Sequence, residues 1–479
     1  MQSTAFLPKE FLSLVETIIP NHLNMDDFIT MCNTPLRKSI RVNTLKITVL
    51  DFSEKMQAQG WQLEAIPWCE TGFWLQRPDS QTTPLGNTAE HLAGLFYIQE
   101  ASSMLPVSAL VYNNPDLELI LDMAAAPGSK TTQIAACLDN TGAIIANEYS
   151  SSRVKVLAAN IQRCGITNTA ITHFDGKIFG EWLPEMFDAI LLDAPCSGEG
   201  TLRKDPNAMK NWDLSSIQTI ASVQKELIKS AFYALKTNGT LIYSTCTLNQ
   251  QENQEICLYL KKTFGDAVVF ESLENLFPHA HKALTPEGFL HVFPQVYDSE
   301  GFFIARIKKT AQVTPTKIQT YKGIFPFSPL SQKQQQLVRN ALSNSFHLSL
   351  PTDKTLWRRD KEIWLFPNSI TPILGKIRLE RTGLKLADIF NKGKKEQYRW
   401  QHAAIMALTD YNHHSMLEVT TELAREWYMG RDIKTEIKEG MGEVIISYQG
   451  YPIGIGKWVR NKIKNKYPRE LVRDNNLFI

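Results

Sequence analysis

The chain has 479 residues, 43% of them hydrophobic and 21% charged, which excludes wholesale disorder, a coiled coil and a disulfide-stapled peptide. At roughly 100 to 200 residues per domain it holds roughly two to four domains, each long enough to bury a core. The net charge of +2 exerts no general pull on an anion, so recognition of one must rest on local clusters.

Residues 1–110 open with a helical pattern at Lys9–Ile19 and pass through a strand-like stretch at Ser39–Leu45. A second helical pattern follows at Thr88–Leu110, after a Pro and Gly turn. They read as an accessory α/β unit packed on the central core, and they carry a basic cluster of Arg37, Lys38, Arg41 and Lys46. From 111 to 310, short β-branched runs alternate with longer helical ones. The predicted strands are Leu117–Met123, Ala143–Glu148, Thr169–Phe174, Phe187–Ala194, Gly239–Cys246, Val268–Leu273 and Phe302–Lys308, with helices at Ser150–Cys164, Ser215–Leu235 and Asn249–Phe264. This alternation predicts a seven-stranded, doubly wound, Rossmann-like α/β core with a parallel sheet. Such sheets bind ligands beyond the carboxyl ends of the strands, at the topological switch point.

Ala311–Pro329, with Pro315, Pro326 and Pro329, reads as a linker. Two segments come next, 320–385 and 386–479, the second with predicted strands Glu443–Tyr448 and Tyr451–Trp458 around a Gln449-Gly450 turn. Its end is basic: Lys457, Arg460, Lys462, Lys464, Lys466, Arg469 and Arg473 stand against Glu470 and Asp474, with Trp458 and Tyr467 among them. Two basic clusters flanking a ligand-binding core point to a polyanionic partner. No apolar run reaches the ~20 residues that span a bilayer, and Met1–Glu10 lacks a signal-peptide pattern. Seven cysteines, an odd number, suit a reducing compartment. A cytoplasmic protein without membrane association is expected.

The first core strand runs into Asp122-Met123-Ala124-Ala125-Ala126-Pro127-Gly128-Ser129-Lys130. Small residues let a ligand approach the backbone there, and the helix that opens next offers free N–H groups to a carboxylate or phosphate. The loop is neither a Walker A motif nor a dinucleotide fingerprint. Glu148 ends the second strand, placed to accept hydrogen bonds from both ribose hydroxyls. Asp175 follows the third, placed beside an adenine amino group or in an ordinary Asp-Gly turn. Together these describe a site for an adenosine ligand with an amino-acid tail, and S-adenosylmethionine fits better than a dinucleotide.

The fourth strand ends in Asp193-Ala194-Pro195-Cys196-Ser197-Gly198 and the fifth in Ser244-Thr245-Cys246-Thr247, so two cysteines reach the same sheet edge. One strand-end cysteine is ordinarily a small core hydrophobe. Two at a predicted cofactor site suggest chemistry, and pyrimidine methylation supplies it: carbon 5 becomes nucleophilic only after a thiolate adds to carbon 6. An ordinary thiol pKa of about 8.5 leaves little thiolate at neutral pH, so Lys130 or nearby helix N-termini are expected to assist. Asp193 is placed to hydrogen-bond the ring nitrogen and offset the developing charge. No metal is expected. Spacing does not decide which cysteine attacks.

These motifs resemble the RNA cytosine-C5 methyltransferases of the Nol1/Nop2/Sun family. Residues 124–130 resemble its cofactor loop, Asp193–Gly198 its Pro-Cys motif and Ser244–Thr247 its Thr-Cys motif. The likeness extends to Pro35–Lys46, Tyr97–Ser103 and Gly301–Arg306, and so covers residues 1–310. It implies S-adenosylmethionine-dependent methylation of cytosine carbon 5, with Cys246 as nucleophile and Cys196 aiding product release. In the DNA cytosine enzymes the Pro-Cys residue attacks instead. Cofactor contacts carry over to Ala124, Ala125, Ala126, Pro127, Gly128, Ser129, Lys130, Glu148, Asp175 and Asp193. Arg153 is a further candidate, with a surface ion pair as its other reading. Arg203 and Lys204, after the Pro-Cys loop, are candidates for the RNA backbone or for a loop salt bridge. They join Arg37, Lys38, Arg41, Lys46, Lys457 and Arg460 as the expected RNA-binding set.

The tail resembles a bacterial small-subunit ribosomal RNA branch of the family, in which a linking domain, here 320–385, precedes a PUA-like RNA-binding domain, here 386–479. The resemblance implies ribosomal RNA or the small ribosomal subunit as partner, and a monomer. The rivals are the same chemistry on transfer RNA, a non-catalytic RNA-binding assembly factor, and an exocyclic amine methyltransferase. Intact Cys196 and Cys246 argue against the second. Cys196, standing where an amine enzyme usually has an aromatic residue, argues against the third.

Overall fold

The computed structural model describes residues 5–210, 212–392, 395–434, 441–473 and 477–478. The N-terminal unit is an antiparallel sheet of β1 (Ser39–Val42), β2 (Gln62–Ile66), β3 (Cys69–Gln76) and β4 (Phe96–Ile98), in the order β2-β3-β1-β4. The helix expected over Thr88–Leu110 is corrected: Ala89–Leu92 and Leu105–Val111 are helical, and β4 lies between them. Gly94 breaks the run with a φ of +80°, because a Cβ there would run into the Arg163 carbonyl oxygen. Phe96-Tyr97-Ile98 then suits a strand better than a helix, and Pro106 opens the next helix in its first turn.

The central unit contains β5 (Leu119–Asp122), β6 (Ala143–Asn147), β7 (Thr169–Thr172), β8 (Phe187–Asp193), β9 (Leu235–Thr245), β10 (Val268–Glu271), β11 (Leu290–Val292) and β12 (Phe302–Lys309). Their order is β10-β12-β9-β8-β5-β6-β7, with β11 beside β12. All seven predicted strands are present. The wholly parallel sheet is corrected, because β12 runs antiparallel to both β9 and β10. The unforeseen strand β11 pairs antiparallel with β12, so the chain reaches β12 from the opposite direction.

Strands covered on both faces must be apolar on both. Ile144 and Ile145, Leu191 and Leu192, and Leu241 and Ile242 are fully buried and send alternate side chains into two separate cores. The covering helices include Ser129–Cys137, Ser151–Arg163, Leu214–Ala234 and Gln254–Phe264. The order reverses at β5, which has β6 on one side and β8 on the other. This switch point places a crevice beyond Asp122 and Asp193.

The third unit holds β13 (Ser328–Pro329), β14 (Lys354–Arg359), β15 (Glu362–Pro367), β16 (Arg381–Thr382), β17 (Leu384–Lys392) and β18 (Lys395–Trp400). Its sheet is β13-β14-β15-β17-β18, while β16 pairs with β7 and carries the central sheet on into this unit. The boundary placed between 385 and 386 therefore falls inside β17. The fourth unit comprises β19 (Met416–Glu418), β20 (Ile433–Lys434), β21 (Glu443–Tyr448), β22 (Tyr451–Val459) and β23 (Lys462–Asn465), ordered β19-β21-β22-β23-β20. The expected hairpin is present, with Tyr448 paired to Tyr451 across Gln449 and Gly450. Tyr451 also joins the core of the N-terminal unit with Phe52 and Met56, so the last unit packs back on the first.

Gly383 joins β16 to β17 with a φ of +57°, and a Cβ there would run into the Leu365 carbonyl oxygen. Gly383→Ala is expected to cost about 3 kcal/mol, from backbone strain and overpacking together. Gly442→Ala, at a φ of +82° with nothing within 4 Å, should cost only about 1 kcal/mol. Thermal unfolding midpoints of the two variants check the difference.

Candidate active site

The loop after β5 turns sharply at Gly128, whose φ is +106°, and the helix Ser129–Cys137 opens with no side-chain cap on its N–H groups. Asp122 lies buried at the root of this loop. Its Oδ2 accepts from Thr131 Oγ1 at 2.6 Å, whereas Oδ1 is enclosed and has no partner among the described residues. Burial pushes its carboxyl up to about 7, against the pull of the Thr131 hydrogen bond and of Lys130. Sequence reading assigned Asp122 no role, although it heads the loop motif.

Lys130 is nearly buried, and its Nζ donates to Asp193 Oδ2 at 2.6 Å and to Ser103 Oγ at 3.1 Å. Burial opposes its charge, but the charge and hydrogen bond of Asp193 outweigh burial and hold the ammonium above its ordinary range. Asp193 Oδ1 accepts from Ser244 Oγ at 2.7 Å. Both carboxylate oxygens therefore act as acceptors. Ser103 comes from the N-terminal unit, whose likeness to the family covered it without giving it a role.

Glu148 stands just beyond β6, nearly buried, and accepts from the Ser150 N–H at 2.8 Å. Arg153 lies 3.5 Å from its other oxygen and also donates to the Ala126 carbonyl, so Arg153 braces the loop as well as the acid. Asp175 is exposed and accepts from the Lys177 N–H at 3.0 Å, capping its own turn. Asn147, unforeseen, ties three strand ends together by donating to Met123 O and Phe174 O and accepting from Thr172 Oγ1.

The two cysteines meet, with Cys196 Sγ 3.3 Å from Cys246 Sγ. The hydrogen bond with Cys246 and then burial push the Cys196 thiol well above its ordinary range, with Glu252 and Asp193 adding to the effect. Cys196 therefore keeps its proton and can donate it toward the Cys246 sulfur. Two buried carboxylates hold the loops. Glu252 accepts from the Ser197 N–H at 3.0 Å, Gln224 Nε2 at 2.9 Å and Asn249 Nδ2 at 2.7 Å. Glu199 accepts from the N–H groups of Leu248 at 3.0 Å and Asn249 at 2.8 Å, and from Trp212 Nε1 at 2.9 Å. Gly200 donates to the Cys246 carbonyl at 2.9 Å and packs so tightly on Gly301 that neither tolerates a Cβ. Both acids lie close after the cysteine motifs in sequence, but nothing in their spacing marks them as backbone acceptors.

The expected RNA-binding set divides. Arg41 is 1% exposed and donates to Gln99 Oε1 and Thr132 Oγ1, both at 2.9 Å. Arg203 has no exposed side-chain surface; it donates to Thr34 O, Pro35 O and Ser299 O and pairs with Asp298. Both are corrected from RNA contacts to internal braces, since their guanidinium donors are already used inside the protein. Lys46 is half-buried on the Ala93 carbonyl, and burial brings its ammonium down to about 8. Arg37 lies over Trp74 and pairs with both Glu64 and Asp298. Lys38, Lys204, Lys457 and Arg460 are exposed. Lys457 stands between Glu443 on β21 and Lys464 on β23. Lys462 and Lys466 instead pair with Asp432 and Glu443. Asp474 lies outside the described residues.

Four family models match the chain in succession. They are the N-terminal domain of 16S rRNA methyltransferase RsmF over residues 7–101, 16S rRNA methyltransferase RsmB/F over 109–308, the pre-PUA domain of ribosomal RNA small subunit methyltransferase F over 327–408, and the methyltransferase RsmF PUA domain over 415–473. Among curated relatives, ribosomal RNA small subunit methyltransferase F of Aliivibrio fischeri strain MJ11 is 57% identical, with 100% of both chains covered. That of Vibrio vulnificus strain YJ016 is 58% identical over the same extent. Among solved structures, a methyltransferase homolog protein from Pyrococcus horikoshii is 32% identical with a TM-score of 0.51, covering 63% of this chain and 100% of that one. NSun6 from Pyrococcus horikoshii with SFG is 22% identical with a TM-score of 0.55, covering 64% and 99%, and so is similar in fold.

The division of the basic residues predicts a division of effects. Lys38→Ala should lower the slope of RNA affinity against salt by about one ion and leave the melting midpoint in place. Arg41→Ala should leave that slope unchanged and cost about 3 kcal/mol of stability, because it strands buried acceptors. Salt titrations of RNA binding, with thermal melts, check both.

Proposed function

Because the chain belongs to the 16S rRNA methyltransferase RsmB/F family, shown by the model match over 109–308 and by full-length relatives 57% and 58% identical, we propose that it methylates carbon 5 of a cytosine in small-subunit ribosomal RNA, using S-adenosylmethionine and a covalent bond from Cys246 to carbon 6. The observation that carries this reading is the pair of thiols 3.3 Å apart at two adjacent strand ends, beside an aspartate held by a buried lysine. Transfer to an amine would need neither thiol.

The residues present fit the cofactor. The unpartnered Asp122 Oδ1 suits its ammonium, the uncapped N–H groups of Ser129–Cys137 suit its carboxylate, Glu148 suits the ribose and Asp175 the adenine. Bound there, S-adenosylmethionine supplies an electrophilic methyl group. Asp193, an acceptor through both oxygens, takes the exocyclic amino N–H of the base rather than the ring-nitrogen lone pair. Lys130 brings positive charge close to the ring as electrons move onto it. Cys246 adds to carbon 6, leaving carbon 5 nucleophilic. Once carbon 5 has taken the methyl group, its proton passes to water, the electrons of that C–H bond re-form the ring double bond and expel the Cys246 thiolate, and Cys196, which keeps its proton, donates it to the departing sulfur.

Cys246→Ala is expected to lower turnover by at least about a thousandfold, as loss of a covalent nucleophile does, while cofactor affinity measured by calorimetry stays put. Normal turnover would sink the mechanism. Cys196→Ala should accumulate a denaturant-resistant protein–RNA adduct that the double variant with Cys246→Ala lacks. Sequencing the trapped RNA separates ribosomal from transfer RNA, and tritium release from carbon 5 separates this chemistry from amine methylation. Asp122→Ala should weaken cofactor binding by about tenfold or more, the cost of losing one charge-assisted hydrogen bond.

A further inference from the structure

A buried carboxyl is costly unless something accepts or donates to it, and one beside this site has an oxygen without a partner. Glu300 lies just before β12 and is 5% exposed, with Oε1 enclosed and, among the described residues, free of hydrogen bonds. Its backbone N–H donates to Glu100 Oε1 at 3.1 Å. Glu100 Oε2 accepts from the Ser103 N–H at 3.1 Å and from the Ser102 hydroxyl. Ser103 Oγ in turn receives the Lys130 ammonium at 3.1 Å, the same ammonium that reaches Asp193 at 2.6 Å. Beyond Glu300, Gly301 packs on Gly200 beside the Cys246 carbonyl, and the Phe302 ring lies 5.7 Å from Lys130 Nζ. Contacts thus lead from Glu300 both to the lysine that holds Asp193 and to the loop of the attacking cysteine.

We propose that Glu300, paired with Glu100, is a positioning residue for the methyl-transfer site: uncharged it leaves the Lys130 ammonium to Asp193, and charged it competes for that ammonium. This rests on the roles given above to Lys130 and Asp193. The groups facing Glu300 set the direction of the effect. Burial and then the Glu100 carboxylate oppose its ionisation, whereas Lys204, Arg203 and Lys130 favour it, and the carboxyl is pushed up to about 8. Arg203 is committed to Asp298, which also pairs with Arg37, and to carbonyl oxygens. Lys204 is exposed to water. Lys130 is therefore the buried cation that a newly formed Glu300 carboxylate would draw.

Proton linkage gives the sign. The folded carboxyl sits above its ordinary 4.5, so its stabilising contribution is whole below that value. It is lost as pH rises through about 8. A glutamine keeps the shape of the protonated form and cannot ionise.

The test compares the full-length wild type with Glu300→Gln from about pH 6.5 to about pH 9.5, a window spanning the shifted carboxyl. Single-turnover methylation of small-subunit ribosomal RNA and thermal midpoints are both recorded. The variant-to-wild-type rate ratio is expected to rise at least about fivefold between neutral pH and about pH 9, with the midpoints diverging in favour of glutamine over the same range. Glu100→Gln, which removes the neighbouring negative charge, should move the alkaline decline to lower pH. A flat rate ratio overturns the proposal, whether or not the midpoints diverge. If neither protein methylates, the reading of function has failed, and Lys130 alone decides. Its labelling by an amine-reactive ester, followed by mass spectrometry, should rise less steeply above about pH 8 in wild type than in Glu300→Gln, because a second carboxylate holds the ammonium protonated, and equal labelling overturns the pair.

Discussion

Asp193 and Ser244 face one another across the parallel strands β8 and β9, and the geometry of the candidate site depends on that register. Strands in register leave the sheet at the same height, so the loops beyond them must travel together. One carries Cys196, the other Cys246, and the sulfurs finish 3.3 Å apart. On its other side β8 borders β5, which brings Lys130, at the start of the next helix, against Asp193. One register thus joins the thiol pair to the loop from Asp122 to Lys130. A slip would separate them, and the fully buried apolar run of β8 resists it.

Loops that lie this close together are partly buried, and their N–H groups need acceptors. Glu199 and Glu252 supply them, serving the backbone of both cysteine loops and linking them through Asn249. These acids are occupied as acceptors for the two loops. Their role makes the thiol geometry a property of a hydrogen-bonded block. The glycine contact between residues 200 and 301 closes that block from the side of β12, where Glu300 enters the network.

The flanking units contribute more than surface. Ser103 reaches Lys130 from the N-terminal unit, and Arg41 binds that unit to the helix Ser129–Cys137. The third unit lends β16 to the central sheet and covers an edge that would otherwise expose unpaired backbone groups. With Arg41 and Arg203 used internally, the exposed members of the expected set are Lys38 near the front of the chain, Lys204 by the Pro-Cys loop, and Lys457 and Arg460 on the last sheet. They lie on three separate units.

The sequence alone determined the order of the central strands along the chain, because apolar runs and strand-ending acids are local signals that need no partner to be read. It also picked out the loop from Asp122 to Lys130 and the two cysteine motifs, which the structure brings to adjacent strand ends. Orientation, pairing and exposure belonged to the tertiary structure. Nothing local reverses β12, adds β16 to a distant sheet or places a boundary beyond β17, since these depend on which edges lie free once the chain has packed. A charge in a sequence looks the same whether it meets solvent or a buried carbonyl, so Arg41 and Arg203 read as surface until their neighbours were known. The unpartnered oxygens of Asp122 and Glu300 were invisible for the same reason: an atom lacks a partner only relative to everything folded around it.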